Sequence, residues 1–340
     1  MNFNIQHSVS LQPYNTFGLN ITTKYFTILN NKNQLQDLPH LIQAYPKFMF
    51  LGGGSNVLFI NDYDGLIILN ELKDIIILDN NNNYIDIEIL SGNIWHDTVQ
   101  YCVAQNWYGI ENMALIPGTV GAAPIQNIGA YGTELKEVLL QVKAVNLNNG
   151  QLETFSNSDC NFGYRDSIFK NKYKNKYYIY SIIIRLQHHG ELNTSYGAIN
   201  QVLQNKGIAQ ANIKDVFNAV IEIRSSKLPN PKELGNSGSF FKNPIVGKNI
   251  LFNIQQQYPT IPFYTVDDAH VKIPAAWLIE QSGFKGKRIG NTGNHKDQAL
   301  VIVNYGNATG QEIWQHAQTV IKTVQEKFSI TLEPEVNVIA

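Results

Sequence analysis

Three short stretches combine a reactive side chain with restricted backbone. Tyr164-Arg165 sets a phenol beside a guanidinium that stays charged at any working pH. Ser239 lies between Gly238 and Phe240-Phe241, a hydroxyl on flexible chain against an apolar wall. Hydroxyls are very weak acids unless neighbours polarise them. Glu335 ends Glu333-Pro334-Glu335 in a mostly apolar terminal segment, where a buried carboxylate must be paired or have a raised pKa. Each has an ordinary alternative: a surface ion pair for Arg165, a turn for Ser239, an exposed strand position for Glu335. The eight histidines show no His-Glu-x-x-His or other metal spacing, and no Asp-rich loop suggests calcium or magnesium. There is no Gly-x-Ser-x-Gly elbow, and no Cys–His arrangement can be assigned. Metal-assisted hydrolysis and acyl transfer are not expected.

Two glycine-rich stretches are candidates to present a ligand to such groups. Residues 116–132 carry almost no charge and place Gly or Pro at Pro117, Gly118, Gly121, Pro124, Gly129 and Gly132. A stretch this poor in bulky side chains lets another backbone or a flat ligand come close. A buried irregular loop must also satisfy its N–H and C=O groups, and a large polar cofactor is one candidate partner. The second stretch is Gly52-Gly53-Gly54-Ser55-Asn56, directly after an apolar run. A dinucleotide fingerprint needs a further Gly where Val57 stands and a helix after it, and a phosphate loop needs Gly-Lys-Ser/Thr. What remains is a tight turn with several unobstructed N–H groups, a nest able to hold a pyrophosphate or simply a structural turn.

Periodicity places these stretches on elements. Strands are expected at 25–29, 47–51, 57–60 and 66–69, with a helix at 35–45 and a turn at 62–65. Ile85, Ile87 and Ile89 alternate with Asp86 and Glu88 and predict a half-buried strand. Trp95, Val99, Cys102 and Val103 share a helical face. Strands follow at 139–147, 151–155 and 177–186, and a helix at 215–224 stops before Leu228-Pro229-Asn230-Pro231, a hinge and domain boundary. Helices at 250–258, 275–282 and 311–328, a strand at 299–303 and a last strand at 330–339 complete the chain.

With 340 residues, 44% hydrophobic and 11% aromatic, the chain supports two or three folded domains. A formal net charge of −1 without like-charge runs favours neither nucleic acid nor an anionic membrane as partner. Cys102 and Cys160 are too few for a disulfide framework. Residues 1–10 lack signal-peptide features, and no apolar run approaches the ~18 residues of a membrane span. A soluble cytoplasmic protein is expected.

The motifs jointly resemble one family. Asn15-Thr16-Phe17-Gly18, residues 52–56, 116–132, 163–169, 238–244 and 332–336 match, in order, the UDP-N-acetylenolpyruvoylglucosamine reductases of peptidoglycan precursor synthesis. Tyr196, Lys227, Tyr264, Lys272 and residues 295–300 also fall at expected places, and the insertion around Tyr196 resembles the family's type I branch. The resemblance implies an α+β fold: a two-subdomain FAD-binding domain of the vanillyl-alcohol-oxidase (PCMH) type, then an α+β substrate-binding domain. The implied divisions are 1–72 joined by the terminal strand 329–340, then 73–224, then 228–328.

It further implies non-covalent FAD and NADPH as co-substrate, since neither loop contains a His or Cys for covalent attachment. Cofactor contacts are expected from Gly52, Gly53, Gly54, Ser55 and Asn56, and from Ile116, Pro117, Gly118, Thr119, Gly121, Ala122, Ala123, Ile125, Asn127 and Gly129. Arg165, Ser239 and Glu335 match the catalytic trio of an FAD-dependent UDP-N-acetylmuramate dehydrogenase. Hydride would pass from NADPH through FAD to the terminal carbon of the enolpyruvyl group. Arg165 and a protonated Glu335 would stabilise the enol-like carboxyl, and Ser239 would deliver the proton. Tyr164, Tyr196, Lys227, Asn243, Tyr264, Lys272 and Gln298 would bind the UDP-sugar. No obligate protein partner is expected.

Two departures stand out. Asn337 stands where several relatives carry Arg, which puts one cationic contact near the flavin in question. Ala122-Ala123 replaces hydroxyl residues seen in some members, leaving cofactor binding there more dependent on backbone. Two further readings are an oxidase of a sugar or hydroxy acid on the same FAD fold, which would not need Ser239, Glu335 and Lys227 together, and a sugar-nucleotide-binding regulator that has lost catalysis.

Overall fold

The computed structural model describes residues 3–340, so Met1 and Asn2, the start of the first expected region, lie outside it. The described chain divides into two compact units, each discontinuous in sequence. The first holds residues 3–9, Thr23–Gly53 and Asp64–Ser226; the second holds Ser10–Thr22, Gly54–Tyr63 and Lys227–Ala340.

The first unit is built on two sheets. In the smaller, Phe48–Leu51 runs parallel to Tyr63–Asn70, pairing Phe48 with Leu66 and Leu51 with Leu69. The strand Tyr63–Asn70 thus begins inside the expected turn at 62–65, because Tyr63 and Gly65 through Asn70 are buried residues of a sheet interior. The larger sheet has five antiparallel strands in the order Leu152–Ser156, Leu139–Asn146, Tyr177–Gln187, Tyr84–Leu90, Ile75–Asn80.

Tyr84–Leu90 is not the half-buried strand that its alternation suggested: Asp86 and Glu88 are buried as well as Ile85, Ile87 and Ile89. The reason is pairing from neighbouring strands. Arg185 grips Asp86 through Nε at 2.7 Å and Nη2 at 2.8 Å, while Ser181 Oγ at 2.6 Å and Lys143 Nζ at 3.0 Å donate to Glu88. Buried carboxylates survive when paired in this way. These donors outweigh burial at Glu88 and hold its carboxyl below the usual range, although burial is the largest single influence.

The helix Trp95–Ala104 lays Trp95, Val99, Cys102 and Val103 on the core with Val216, Phe217 and Val220 of Ile213–Lys227. The expected helix at 35–45 is a 3-10 segment, Lys32–Asp37, running into Leu38–Ala44.

In the second unit, Gly235–Ser239 pairs with Val301–Asn304, which continues through Thr292–Asn294 to Arg288–Ile289. The helix Gly310–Phe328 covers this sheet with Ile313, Ala317, Val320 and Val324. Thr309 and Glu312 form a reciprocal cap at its start, and Ser329 in left-handed conformation ends it. Of the expected strand at 330–339 only Asn337–Ile339 is a strand, parallel to Val57–Phe59. Among the described residues no helix is long and apolar enough to cross a membrane.

Candidate active site

The glycine turn after Phe48–Leu51 packs closely against the start of the stretch 116–132. A Cβ on Gly52 would sit 2.3 Å from Thr119 Oγ1, and one on Gly53 would sit 3.3 Å from Gly118 Cα. Their missing side chains therefore serve loop-on-loop packing first. Gly54 has φ +60°, and a Cβ there would meet Tyr14 O at 1.9 Å. The carbonyl of Gly54 accepts the Thr16 amide at 3.1 Å, whereas the N–H groups of Gly54, Ser55 and Asn56 donate to nothing among the described residues. Three successive unused donors at a left-handed turn form an anion-binding concavity. That donor set fits the pyrophosphate of a dinucleotide.

Residues 116–132 are more regular than their composition suggests. Val120–Ile125 is a 3-10 helix, and Gly129–Ala130 pairs with Thr133–Glu134 as a short hairpin. Much of the backbone is satisfied by protein: Val120 N donates to Asn93 O and Gly121 N to Ser91 O, each at 2.9 Å. Ile125 O accepts Ser167 Oγ at 2.7 Å and Gly129 O accepts Arg165 Nη2 at 2.9 Å. Gly121 has no room for a side chain, with Ser91 Cβ at 2.6 Å from the position of a Cβ. Side chains three apart eclipse in a 3-10 helix, and Ala122 and Ile125 form the exposed edge while Ala123 is buried. Asn127 is buried, with Nδ2 on Glu134 Oε2 and Gly163 O and Oδ1 on Lys136 N. Its side chain is fully engaged in holding the loop.

Arg165 sits at the tip of a turn in which Gly163 and Asp166 exchange backbone hydrogen bonds, and its φ is +54°. Left-handed backbone at a non-glycine residue is uncommon and clusters at functional sites. Leu115, Asn127 and Tyr131 of the neighbouring stretch share it. Lys170 Nζ holds the Arg165 carbonyl at 2.8 Å, and the guanidinium lies 5.8 Å from the Tyr164 ring. Tyr131 and Tyr196 meet edge-on at 5.0 Å, with Tyr196 47% exposed.

Arg224 was not among the sequence candidates. Its Nε is buried without a hydrogen-bond partner. Burial lowers its pKa; the Tyr131 phenol works against that shift and the Arg165 charge adds to it. The available signal was a cation at i+4 and i+7 from Val220 and Phe217, on an otherwise apolar helix stripe. A donor atom held this way lacks a partner that an acceptor-rich ligand edge could supply. Both observations fit FAD.

In the second unit Ser239 is exposed at the end of its strand, opposite Val301, and follows Gly238 at φ +71°. Phe240 and Phe241 behind it are buried. Phe240 N donates to Leu300 O at 2.9 Å, and Phe240 O accepts Glu335 N at 2.8 Å. Asn56 Nδ2 donates to Glu335 O at 3.3 Å, while Asn337 donates to Asn56 O from both N and Nδ2 at 3.0 Å. The Asn337 side chain is therefore engaged with backbone. Tyr264 and Lys272 are cross-strand partners, with the ammonium 5.9 Å from the ring centroid. Asn243 Oδ1 accepts Ala275 N at 2.9 Å at the start of the helix Ala275–Gln281. Gln298 Oε1 accepts Leu300 N at 3.4 Å, and Lys227 is exposed at the end of Ile213–Lys227. Among the described residues no group of three His, Cys, Asp or Glu is placed to hold a metal.

Known proteins give the same outline. A model of the UDP-N-acetylenolpyruvoylglucosamine reductase C-terminal domain matches residues 230–339, and an FAD-binding-domain model matches residues 23–156. The chain is 49% identical over 336 residues to the UDP-N-acetylenolpyruvoylglucosamine reductase of Flavobacterium johnsoniae, spanning 98% of this chain and 99% of that one. The protein of the same name from Neisseria gonorrhoeae is 43% identical over 339 residues, spanning 98% and 97%. The crystal structure of UDP-N-acetylenolpyruvylglucosamine reductase (MurB) from Thermus caldophilus superposes with a TM-score of 0.67 at 19% identity, covering 99% of this chain and 100% of that one. At that identity the likeness speaks for the fold, a mixed α+β architecture with an FAD-binding domain and a C-terminal substrate-binding domain. Identity of 43–49% across nearly the whole length places the chain in the UDP-N-acetylenolpyruvoylglucosamine reductase family.

Proposed function

We propose that this chain reduces UDP-N-acetyl-3-O-(1-carboxyvinyl)-glucosamine to UDP-N-acetylmuramate with NADPH, through non-covalent FAD, in the cytoplasm. The observation that carries this is full-length relation to reductases of that name at 40–49% identity. The bound flavin supplies the relay of hydride from NADPH to the terminal carbon of the enolpyruvyl group. The unused N–H groups of Gly54, Ser55 and Asn56 would take the pyrophosphate. Arg224, beside Tyr131, would face an electron-rich edge of the cofactor. The three-part division from the sequence belongs to the same proposal, and the parallel pairing of Asn337–Ile339 with Val57–Phe59 supports a terminal strand that returns to the opening region.

The remaining chemistry falls to the side chains. Negative charge develops on the substrate carboxyl as hydride arrives, and Arg165 and a protonated Glu335 stabilise it as donors. Ser239 then gives its proton to the neighbouring carbon. Exposure of Ser239 beside the buried Phe240-Phe241 pair leaves its hydroxyl accessible on a fixed strand end. Tyr164, Tyr196, Lys227, Asn243, Tyr264, Lys272 and Gln298 bind the sugar nucleotide, cations and phenols meeting its phosphates.

Purified protein is expected to be yellow, to bleach anaerobically with NADPH and to recover colour when the enolpyruvyl nucleotide is added. Protein that takes up no FAD, or that bleaches but is not reoxidised by the nucleotide, would overturn the assignment.

A further inference from the structure

We propose that the consecutive pair Trp95-His96 is a clamp that sets the shape of the cofactor loop at residues 113–118, with His96 as its positioning residue. Three hydrogen bonds carry this. Trp95 Nε1 donates to Met113 O at 3.1 Å, Leu115 N donates to His96 Nδ1 at 3.1 Å, and Trp95 N donates to Gly118 O at 3.0 Å. Two successive residues at the start of one helix thus hold the loop at its beginning, middle and end.

The loop needs holding. Leu115 has φ +55°, a conformation that crowds the Cβ of an L-residue against its own backbone and persists only where the surroundings impose it. Its amide is fixed by the imidazole, and the following Ile116-Pro117-Gly118 delivers Gly118, at φ +106°, against Gly53. The imidazole is fixed in turn. Its ring stacks on Phe217 at 5.8 Å and 9° between planes, on the helix that also carries Arg224. An Nδ1 that accepts a hydrogen bond belongs to the neutral ring with its proton on Nε2. Burial favours that form, Arg224 adds to the effect and Asp97 opposes it. The clamp therefore connects the loop to the helix bearing the guanidinium with the unpartnered Nε.

The proposal rests on FAD binding at these residues, and two substitutions separate the acceptor from the packing. His96→Phe keeps a ring against Phe217 and removes the acceptor; His96→Asn keeps an acceptor and removes the ring. FAD release from the holoenzyme on dilution, followed by recovery of flavin fluorescence, should show a dissociation constant raised about tenfold or more in His96→Phe and within about threefold of wild type in His96→Asn. In a Leu115→Gly background, where glycine adopts φ +55° unaided, the His96→Phe effect should shrink to about threefold or less. Equal loss in both His96 variants, no loss in His96→Phe, or an undiminished effect in the Leu115→Gly background would overturn the clamp. If His96→Phe does not accumulate, His96→Tyr, which also keeps a ring and lacks the Nδ1 acceptor, makes the same comparison. Wild-type protein that holds no FAD would instead overturn the cofactor assignment.

Discussion

The amide of Glu335 donates to the carbonyl of Phe240 at 2.8 Å, one residue beyond Ser239. Two segments far apart in sequence are therefore locked in register by backbone alone, and Asn56 adds a second hold on the Glu335 carbonyl. Their side chains can be altered while the frame that presents them stays in place.

Ser239→Ala should accordingly leave flavin bleaching by NADPH nearly intact and slow reoxidation by the enolpyruvyl nucleotide by about 10²–10⁴-fold, the range for losing a positioned acid. Glu335→Ala should show the same asymmetry, because it removes the donating group while the backbone anchor is kept. Single-turnover kinetics of the two half-reactions, measured separately, check both. Equal slowing of both halves would mean that these residues support structure only.

Arg224→Met removes a cation whose Nε is buried and unpaired. Replacing such a charge by an apolar side chain of similar volume should stabilise FAD-free protein by about 1–4 kcal/mol. If Arg224 faces the flavin, the same variant should bind FAD at least about tenfold more weakly. The rise in melting temperature on adding FAD should therefore be smaller in the variant than in wild type, and an undiminished rise would exclude a cofactor role.

His316 makes stability depend on pH. It is 4% exposed, its Nε2 lies 2.7 Å from Asn294 Oδ1, and its Nδ1 has no partner. Burial, with help from Lys287, lowers its pKa from 6.5 to about 4. Between those values the unfolded chain binds a proton that the folded chain does not, so stability falls as pH drops through the window. The full effect is on the order of 3 kcal/mol below pH 4. His316→Gln should flatten this part of the curve of unfolding free energy against pH, measured with denaturant from about pH 7 down to about pH 4.

Gly54 and Gly290 share φ +60° but not surroundings: a Cβ meets Tyr14 O at 1.9 Å at the first, and nothing within 4 Å at the second. Gly290→Ala should cost about 1 kcal/mol, the conformational penalty alone. Gly54→Ala should cost at least about 3 kcal/mol, because the turn must move against backbone rather than a pliable side chain. Denaturant midpoints of the two variants compare them directly.

The sequence determined what local patterns can determine. The helices Trp95–Ala104, Ile213–Lys227 and Gly310–Phe328 were legible because a buried stripe repeats every three or four residues. The motifs holding Arg165, Ser239 and Glu335 were legible because their residue types and order match a family. Tertiary structure decided what partners at a distance decide. Asp86 and Glu88 are buried because Ser181 and Arg185 arrive from a strand nearly a hundred residues on. Asn127 and Asn243, read as ligand contacts, have side-chain oxygens that accept backbone amides, while Arg224, read as an ordinary helix residue, has a buried Nε without a partner. Periodicity says which side of an element is apolar. It does not say which polar atom finds a protein partner and which is left for a ligand, since that depends on groups such as Asn56 and Glu335, 279 residues apart.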